Sequence, residues 1–391
     1  MQRAERALRG ATQPGSVVVR LVRSRRDLRR FVRFPWRIYA GNAAWIAPLF
    51  VERLGFLDRR KNPFFRHSAA EYFLAERDGE IVGRIAAIEN RRHLETYHDG
   101  TGFFGHFESI DDPAVSDALF DEAARWVRSR GLVRLRGPAS FTINDECGLL
   151  LDAFDLSPVV LMSYNPPYYQ ALVEGYGFRK AHDLFAFRME VPLAVPPRLA
   201  AAARRVAANG VVVRKADFAH IDDEVAKIHR LHSAAWAENW GAVPLTHEEI
   251  GALARELLLF ADRDLVFLAE HQGETIGVSV TVPDVNQALR LAHGRLLPFG
   301  WLRILRQRRR IDAVRVLILG VRSEWRQRGI DAALYAHTIA EAHRKRYRWG
   351  EMSWILESNA PMLEVLASLG AERYKTYRIY DLELGESPRN A

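Results

Sequence analysis

Three things are scarce in this chain. It has one cysteine, Cys147, in 391 residues. That excludes a disulfide framework and a thiolate metal cluster, no other metal site is read, and a reducing cytoplasm is the expected home. A lone cysteine beside Leu149, Leu150 and Leu151 reads as a small core residue before it reads as a nucleophile. Long apolar runs are missing too. Stretches such as Val316–Leu319 fall far short of the roughly 18 residues that a membrane span needs, so the chain should not cross a bilayer, although it could lie on one. Lysine is the third scarcity, with six residues among the 56 lysines and arginines. The basic, polar start carries no apolar core of a secretory signal, and residues 1–15 are expected to form a disordered tail.

What is present describes a globular protein. Hydrophobic residues make up 48% and charged residues 27%, so neither disorder nor a fibre is indicated. The length exceeds one ordinary core and points to two domains. The net charge of +8 fits three kinds of partner: nucleic acid, an anionic membrane surface, or a phosphate-rich cofactor.

The pattern of elements is strand, helix, hairpin, strand, helix, strand, helix, strand, and it runs twice. In the first pass Tyr72–Glu76 and Ile81–Ile85 flank the turn Asp78-Gly79, a strong hairpin signal. A helix follows Asp112-Pro113, with Val115, Leu119, Ala123, Trp126 and Val127 at helical spacing. Strand Leu184–Met189 closes the half. The second pass has a hairpin at Leu265–Val280, strand Val314–Val321, helix Ile330–His343, strand Met352–Ile355, helix Pro361–Leu369 and strand Arg378–Leu384. The echo of Phe73-Leu-Ala-Glu in Phe267-Leu-Ala-Glu marks an internal duplication of about 190 residues. The expected organisation is a first domain at 16–192, a linker helix at 193–209 and a second domain at 210–391.

The segment that carries chemistry is Val314–Tyr335, read as a buried strand, a tight basic turn and a helix. The backbone N–H groups of such a turn and the helix N-terminus converge on one point, which makes an anion site. Gly329 lets a phosphate come close to the backbone, and Arg326 and Arg328 add fixed positive charge.

Here the chain resembles the GNAT superfamily of N-acyltransferases. The signature of Arg or Gln, two residues, Gly, one residue and Gly or Ala stands as Arg326-Gln327-Arg328-Gly329-Ile330-Asp331. A second signature, an Asn opening the next helix with a glycine beyond, stands as Asn359 and Gly370. The resemblance implies an α/β fold of two tandem GNAT-like domains, each a mixed central sheet flanked by helices. It implies acyl-CoA as co-substrate, with its pyrophosphate on the 326–331 amides, Asn359 in the same site, and an oxyanion contact from the backbone at Leu319–Val321. Two departures stand out. Asp331 replaces the second glycine and puts a carboxylate near a pyrophosphate, and Leu366 replaces the tyrosine that many relatives use as general acid. The first half has Glu108-Ser-Ile-Asp-Asp-Pro where the phosphate turn belongs and reads as a degenerate copy.

Amide formation needs a proton acceptor. Glu357, at the end of a strand near the site, is the first candidate, with Asp312 and Glu146 as alternatives. Tyr374 and His293 are weaker candidates that also have structural readings. Asn144, Asp145, Glu146, Tyr164 and Tyr168 could line an amine pocket, or could brace the irregular chain around Pro158 and Pro166. The insertion 294–310 interleaves Leu297, Trp301, Leu302 and Leu305 with arginines. It reads as an interfacial helix that rests on an anionic membrane, at the inner face of the cytoplasmic membrane, against the alternative of a helix packing over the core. Nucleic acid is the less favoured partner, since no recognition motif appears. The Asn144–Gly148 and Tyr164–Tyr169 stretches make the layout similar to the bacterial ceramide synthases. That resemblance implies a sphingoid-type lipid amine as acceptor. Acetyl transfer to a small soluble amine and a non-catalytic acyl-CoA or lipid sensor are the rival readings.

Overall fold

The structure is a computed structural model and describes residues 15–236 and 239–385. The expected tail lies outside the described residues except for its last residue, Gly15. Among the described residues thirteen strands form one continuous mixed sheet. The first half of the chain supplies β1 (Val18–Leu21), β2 (Ala69–Arg77), β3 (Glu80–Glu89), β4 (Thr101–Ser109), β5 (Arg134–Gly137), β6 (Leu149–Leu150) and β7 (Arg179–Glu190). The second supplies β8 (Val211–Lys215), β9 (Val266–His271), β10 (Glu274–Pro283), β11 (Ala313–Val321), β12 (Trp349–Leu356) and β13 (Glu372–Glu383). Both hairpins turn where the local chemistry demands it. Asp78 and Gly79, and likewise Gln272 and Gly273, all adopt positive φ, as a tight two-residue loop requires.

The order across the sheet is β1-β2-β3-β4-β5-β13-β7-β12-β11-β10-β9-β8, with β6 paired to β13. Among the described residues only β4 with β5 and β11 with β12 run parallel. The last strand of each half therefore does not close its own half, as the linear pattern suggests. Strand β13, from the end of the chain, pairs with β5 of the first half. Strand β7, from the first half, pairs with β12 of the second. The two exchanged strands pair with each other along their length, at the centre of the sheet.

Helices cover both faces. Pro113–Ser129 is capped by Asp112, which accepts from the Ala114 N–H, and it buries Val115, Leu119, Phe120, Ala123 and Val127 on the sheet. Residues Pro166 and Pro167 delay the next helix to Tyr169–Tyr176, because a residue before proline disfavours helical backbone. The expected linker helix runs from Pro197 to Ala208 and is a packed layer, burying Leu199, Ala202 and Val206. Its Leu199 meets Tyr335, Ala336 and Ile339 of the helix Ile330–Arg344. The insertion forms the helix Gly300–Arg308. Its lead-in is pressed on the first half: a Cβ on Gly294, whose φ is +77°, would stand 2.4 Å from Trp36, and the Gly294 carbonyl accepts from the Phe50 N–H at 3.0 Å.

Candidate active site

Strands β11 and β12 pair only from Ala313 opposite Trp349 to Val316 opposite Met352. Beyond that point they part, although both lie in the middle of the sheet. Between Val280 and Thr281 the register to β10 slips by one, because Leu317 is an extra residue on β11. Such a bulge bends a strand and re-aims a side chain. The consequence is a cleft of about 950 Å³. Residues Val316–Leu319, which a closed sheet would bury, are only half-buried along it. The walls include Leu317 and Leu319 from β11, Trp354 and Ile355 from β12, and also Leu184 of β7 and Ile379 of β13.

The basic turn sits at one end of this cleft. After a short helical turn at Ser323–Trp325, Gln327 and Gly329 both take positive φ, +61° and +81°, and Gly329 caps the helix Ile330–Arg344. Two left-handed residues so close together turn the backbone sharply ahead of the helix N-terminus, which is the geometry of an anion cradle. Arg326, Gln327 and Asp331 line the cleft. Arg326 also donates to the Ala235 carbonyl at 3.0 Å, and the Arg328 guanidinium stacks over Trp325 at 4.9 Å. Leu319, Val321 and Asn359 line the same cleft, and Asn359 caps the helix Ala360–Ser368 by accepting from the Met362 N–H. Ile330 is buried beneath the turn.

The carboxylates and tyrosines expected here are differently placed. Glu357 is not brought to the cleft: its oxygens take the Lys180 ammonium at 2.6 Å and the Asp183 N–H at 3.0 Å. Burial opposes ionisation there, but those two donors hold the Glu357 carboxyl below its usual range, which makes it a poor proton acceptor. Tyr374 lies behind the cleft and donates to the fully buried Glu351. Burial and that carboxylate push its hydroxyl well up. Arg315 lines the cleft from the same network, bonding Ser353 and, across to the first half, the Val160 carbonyl at 2.7 Å. Leu366 is wholly buried in the core beside Phe187 and Met352.

The polar stretches of the first half separate likewise. Asn144 reaches the cleft and donates to the Val243 carbonyl. Asp145 turns back to accept from the Thr142 N–H and hydroxyl, and burial pushes its carboxyl up to about 7. Tyr168 braces the chain by donating to the Ser109 carbonyl. Glu146 and Tyr164 face a second cavity, of about 730 Å³, lined by residues of both halves. Cys147 and Leu161 line both cavities and so form a shared wall. Burial pushes the Cys147 thiol up, which suits packing rather than nucleophilic attack. Of the residues expected to line an amine pocket, Glu146 and Tyr164 thus share the second cavity, whereas Asn144 is in the cleft and Asp145 and Tyr168 line neither. Sequence reasoning missed the bulge at Leu317 and the second-half lining of that cavity, since neither leaves a local pattern.

Taken together, a duplicated mixed sheet, a splayed parallel pair and an anion turn at a helix N-terminus define a tandem GNAT fold. Solved structures share it. A tandem GNAT protein from the clavulanic acid biosynthesis pathway superposes with a TM-score of 0.56 at 14% identity, covering 95% of this chain and 100% of that one. A GCN5-related N-acetyltransferase from Sphaerobacter thermophilus gives 0.53 at 15% identity, covering 97% and 99%. The chain is 37% identical over 370 residues to the bacterial ceramide synthase of Caulobacter vibrioides, covering 93% of this chain and 96% of the relative. It is 35% identical over 376 residues to protein YghO of Escherichia coli, covering 94% and 95%. No protein-family model matches. The chain belongs to the family of the bacterial ceramide synthase and is an acyltransferase.

Proposed function

We propose that the chain moves an acyl group from acyl-CoA to the primary amine of a membrane lipid, giving a ceramide-like amide. The observation that carries the lipid part is the face of the insertion. Leu297, Phe299, Trp301 and Leu305 are 77%, 66%, 51% and 56% exposed, beside Arg303, Arg306 and the Arg308–Arg310 run. Exposed aromatic and leucine side chains rimmed by arginine suit the boundary of an anionic bilayer. Among the described residues no helix is long and apolar enough to cross a membrane, so contact would be peripheral. The name of the Caulobacter relative supports the same class of product.

Acyl-CoA supplies the activated thioester. The 326–331 turn would hold its pyrophosphate through backbone N–H groups and Arg326, and β11 would offer an N–H to the oxyanion beside its bulge. Asp331 at the cleft mouth favours a second reading, an acyl-CoA sensor that binds without turnover. The test is native mass spectrometry with acetyl-CoA and palmitoyl-CoA, an Arg328→Glu control, and product analysis with a long-chain amino alcohol. Selective retention of palmitoyl-CoA, lost in the control, and an amide of the summed mass are expected. Retention without amide supports the sensor. Retention of neither overturns both readings.

A further inference from the structure

The first half lacks the phosphate turn, yet a large cavity lies between it and the second half, and the lining is unlike a relic. Volumes of 300–1,000 Å³ with apolar walls and a few convergent polar groups are typical of small-molecule sites, and this one holds about 730 Å³. Its outer lining includes Val51, Leu259, Trp301 and Leu305, which are 69%, 76%, 51% and 56% exposed. The mouth therefore opens on the apolar face of the insertion. Deeper in, the Arg53 guanidinium meets Glu52 at 2.9 Å and Glu146 at 2.9 Å. Glu256 also lines the cavity, on the helix His247–Leu258. Three carboxyl groups share one guanidinium, so acid groups outnumber bases in an apolar chamber. Arg84 and Glu108 face the same space but offset each other, at 3.4 Å, and Arg308 stands exposed on the rim. Two buried nitrogens at the inner end, His106 Nε2 and the Nε of the nine-tenths-buried Arg84, have no partner. Unsatisfied buried polar atoms cost stability and mark a place where a polar ligand group would be welcome.

We propose that this cavity between the halves is the acceptor site of the acyltransferase. It takes a long-chain primary amine with the ammonium head inward at Glu52, Glu146 and Glu256 and the hydrocarbon chain outward past Leu259, Trp301 and Leu305. This rests on the acyltransferase reading given above and adds the site. Cys147, the chain neighbour of Glu146, and Leu161 line both cavities, and the head would pass this shared wall to meet the thioester carbon in the cleft. Attack needs the neutral amine. One proton passes from the ammonium nitrogen to a Glu52 oxygen, and the freed lone pair forms the C–N bond. The C–S bond breaks, the second N–H proton goes to the departing thiolate, and Glu52 releases its proton to solvent. Burial pushes the Glu52 carboxyl up to about 7, against the pull of Arg53 and with the help of Glu256 and Glu146, which suits that exchange near neutral pH.

The test uses the full chain and measures binding of dodecylamine and dodecanol by calorimetry, with palmitoyl-CoA retention in parallel. The variant Glu52→Gln/Glu146→Gln is expected to weaken dodecylamine by about tenfold or more, the scale of a lost charge-assisted contact, while dodecanol and palmitoyl-CoA are unchanged. Because that double change removes partners of Arg53, the exposed change Leu259→Ser/Leu305→Ser serves as the second variant. It should weaken the amine and the alcohol alike. Retained palmitoyl-CoA with amine binding indifferent to both variants overturns this site and leaves the acyltransferase reading standing. Loss of palmitoyl-CoA retention in the unmodified protein removes the reading on which the site rests.

Discussion

At the scale of single residues, backbone conformation carries as much of the argument as side-chain chemistry. Gly329 sits at φ +81° with Val206 and Ala202 at ordinary contact distance from where a Cβ would be, so the constraint is the dihedral and not space. Gly329→Ala should lower stability by about 1 kcal/mol in urea melts and weaken acyl-CoA, because the turn must relax out of its left-handed form. Asp284 gives a pH prediction. It accepts from the Val160 N–H at 2.9 Å, and burial, with Glu351 nearby and Lys375 opposing, pushes its carboxyl up to about 7 from an ordinary 3.8. The unfolded chain then ionises first. The stability that Asp284 contributes is full below about pH 4 and is lost as pH rises to about 7, with a slope of at most roughly 1.4 kcal/mol per unit. Urea melts across that window should show the fall in the natural chain and a flatter profile in Asp284→Asn. An unchanged slope in the variant would assign the effect to other groups. The basic turn and its glycine were legible in the sequence, because an anion cradle is local. Glu357 was misjudged because spacing places it at a strand end but says nothing of Lys180, 177 positions away, which takes its carboxylate.

At the scale of elements, helical spacing and turn chemistry gave most strands and helices, but the two central strands begin earlier than expected, at Arg179 and Glu372 and not at Leu184 and Arg378. Asp78-Gly79 and Gln272-Gly273 turn hairpins where expected, and Asp112 caps where expected. The irregularities were not legible. The extra residue at Leu317, which opens the cleft, depends on the register of β10 against β11, and no window of sequence contains both. The insertion was legible as amphipathic but not as to what it covers. Leu302 is half-buried, whereas Leu297, Trp301 and Leu305 stand exposed. Trp301→Glu/Leu305→Glu should abolish sedimentation with anionic phosphatidylglycerol vesicles and leave the melting temperature within about 2 °C, since exposed changes cost little. Retained sedimentation would move the membrane contact elsewhere on the surface.

At the scale of the whole molecule, the strand exchange decides how the chain can come apart. Ending the chain before β13 would strip a neighbour from β5 and β7 together, exposing the short edge of β5 and the long edge of β7 in the centre of the sheet. Such a truncation at residue 371 should be insoluble, and the intact chain should melt in a single calorimetric transition. Two separate transitions would show that the halves fold independently after all. None of this was visible in the linear pattern, in which each half looks self-sufficient and only long-range pairing tells which strand closes which half.

The exchanged strands also bear on inheritance. Two copies of one ancestral unit that trade terminal strands make a swapped dimer, and joining them end to end turns a concentration-dependent assembly into a single chain that dilution cannot part. After such a fusion the copy without a phosphate turn is not dispensable, because its last strand, through Leu184, is a wall of the other copy's cleft. Selection on catalysis then reaches both copies, and a lesion in either half is inherited as a defect of the whole.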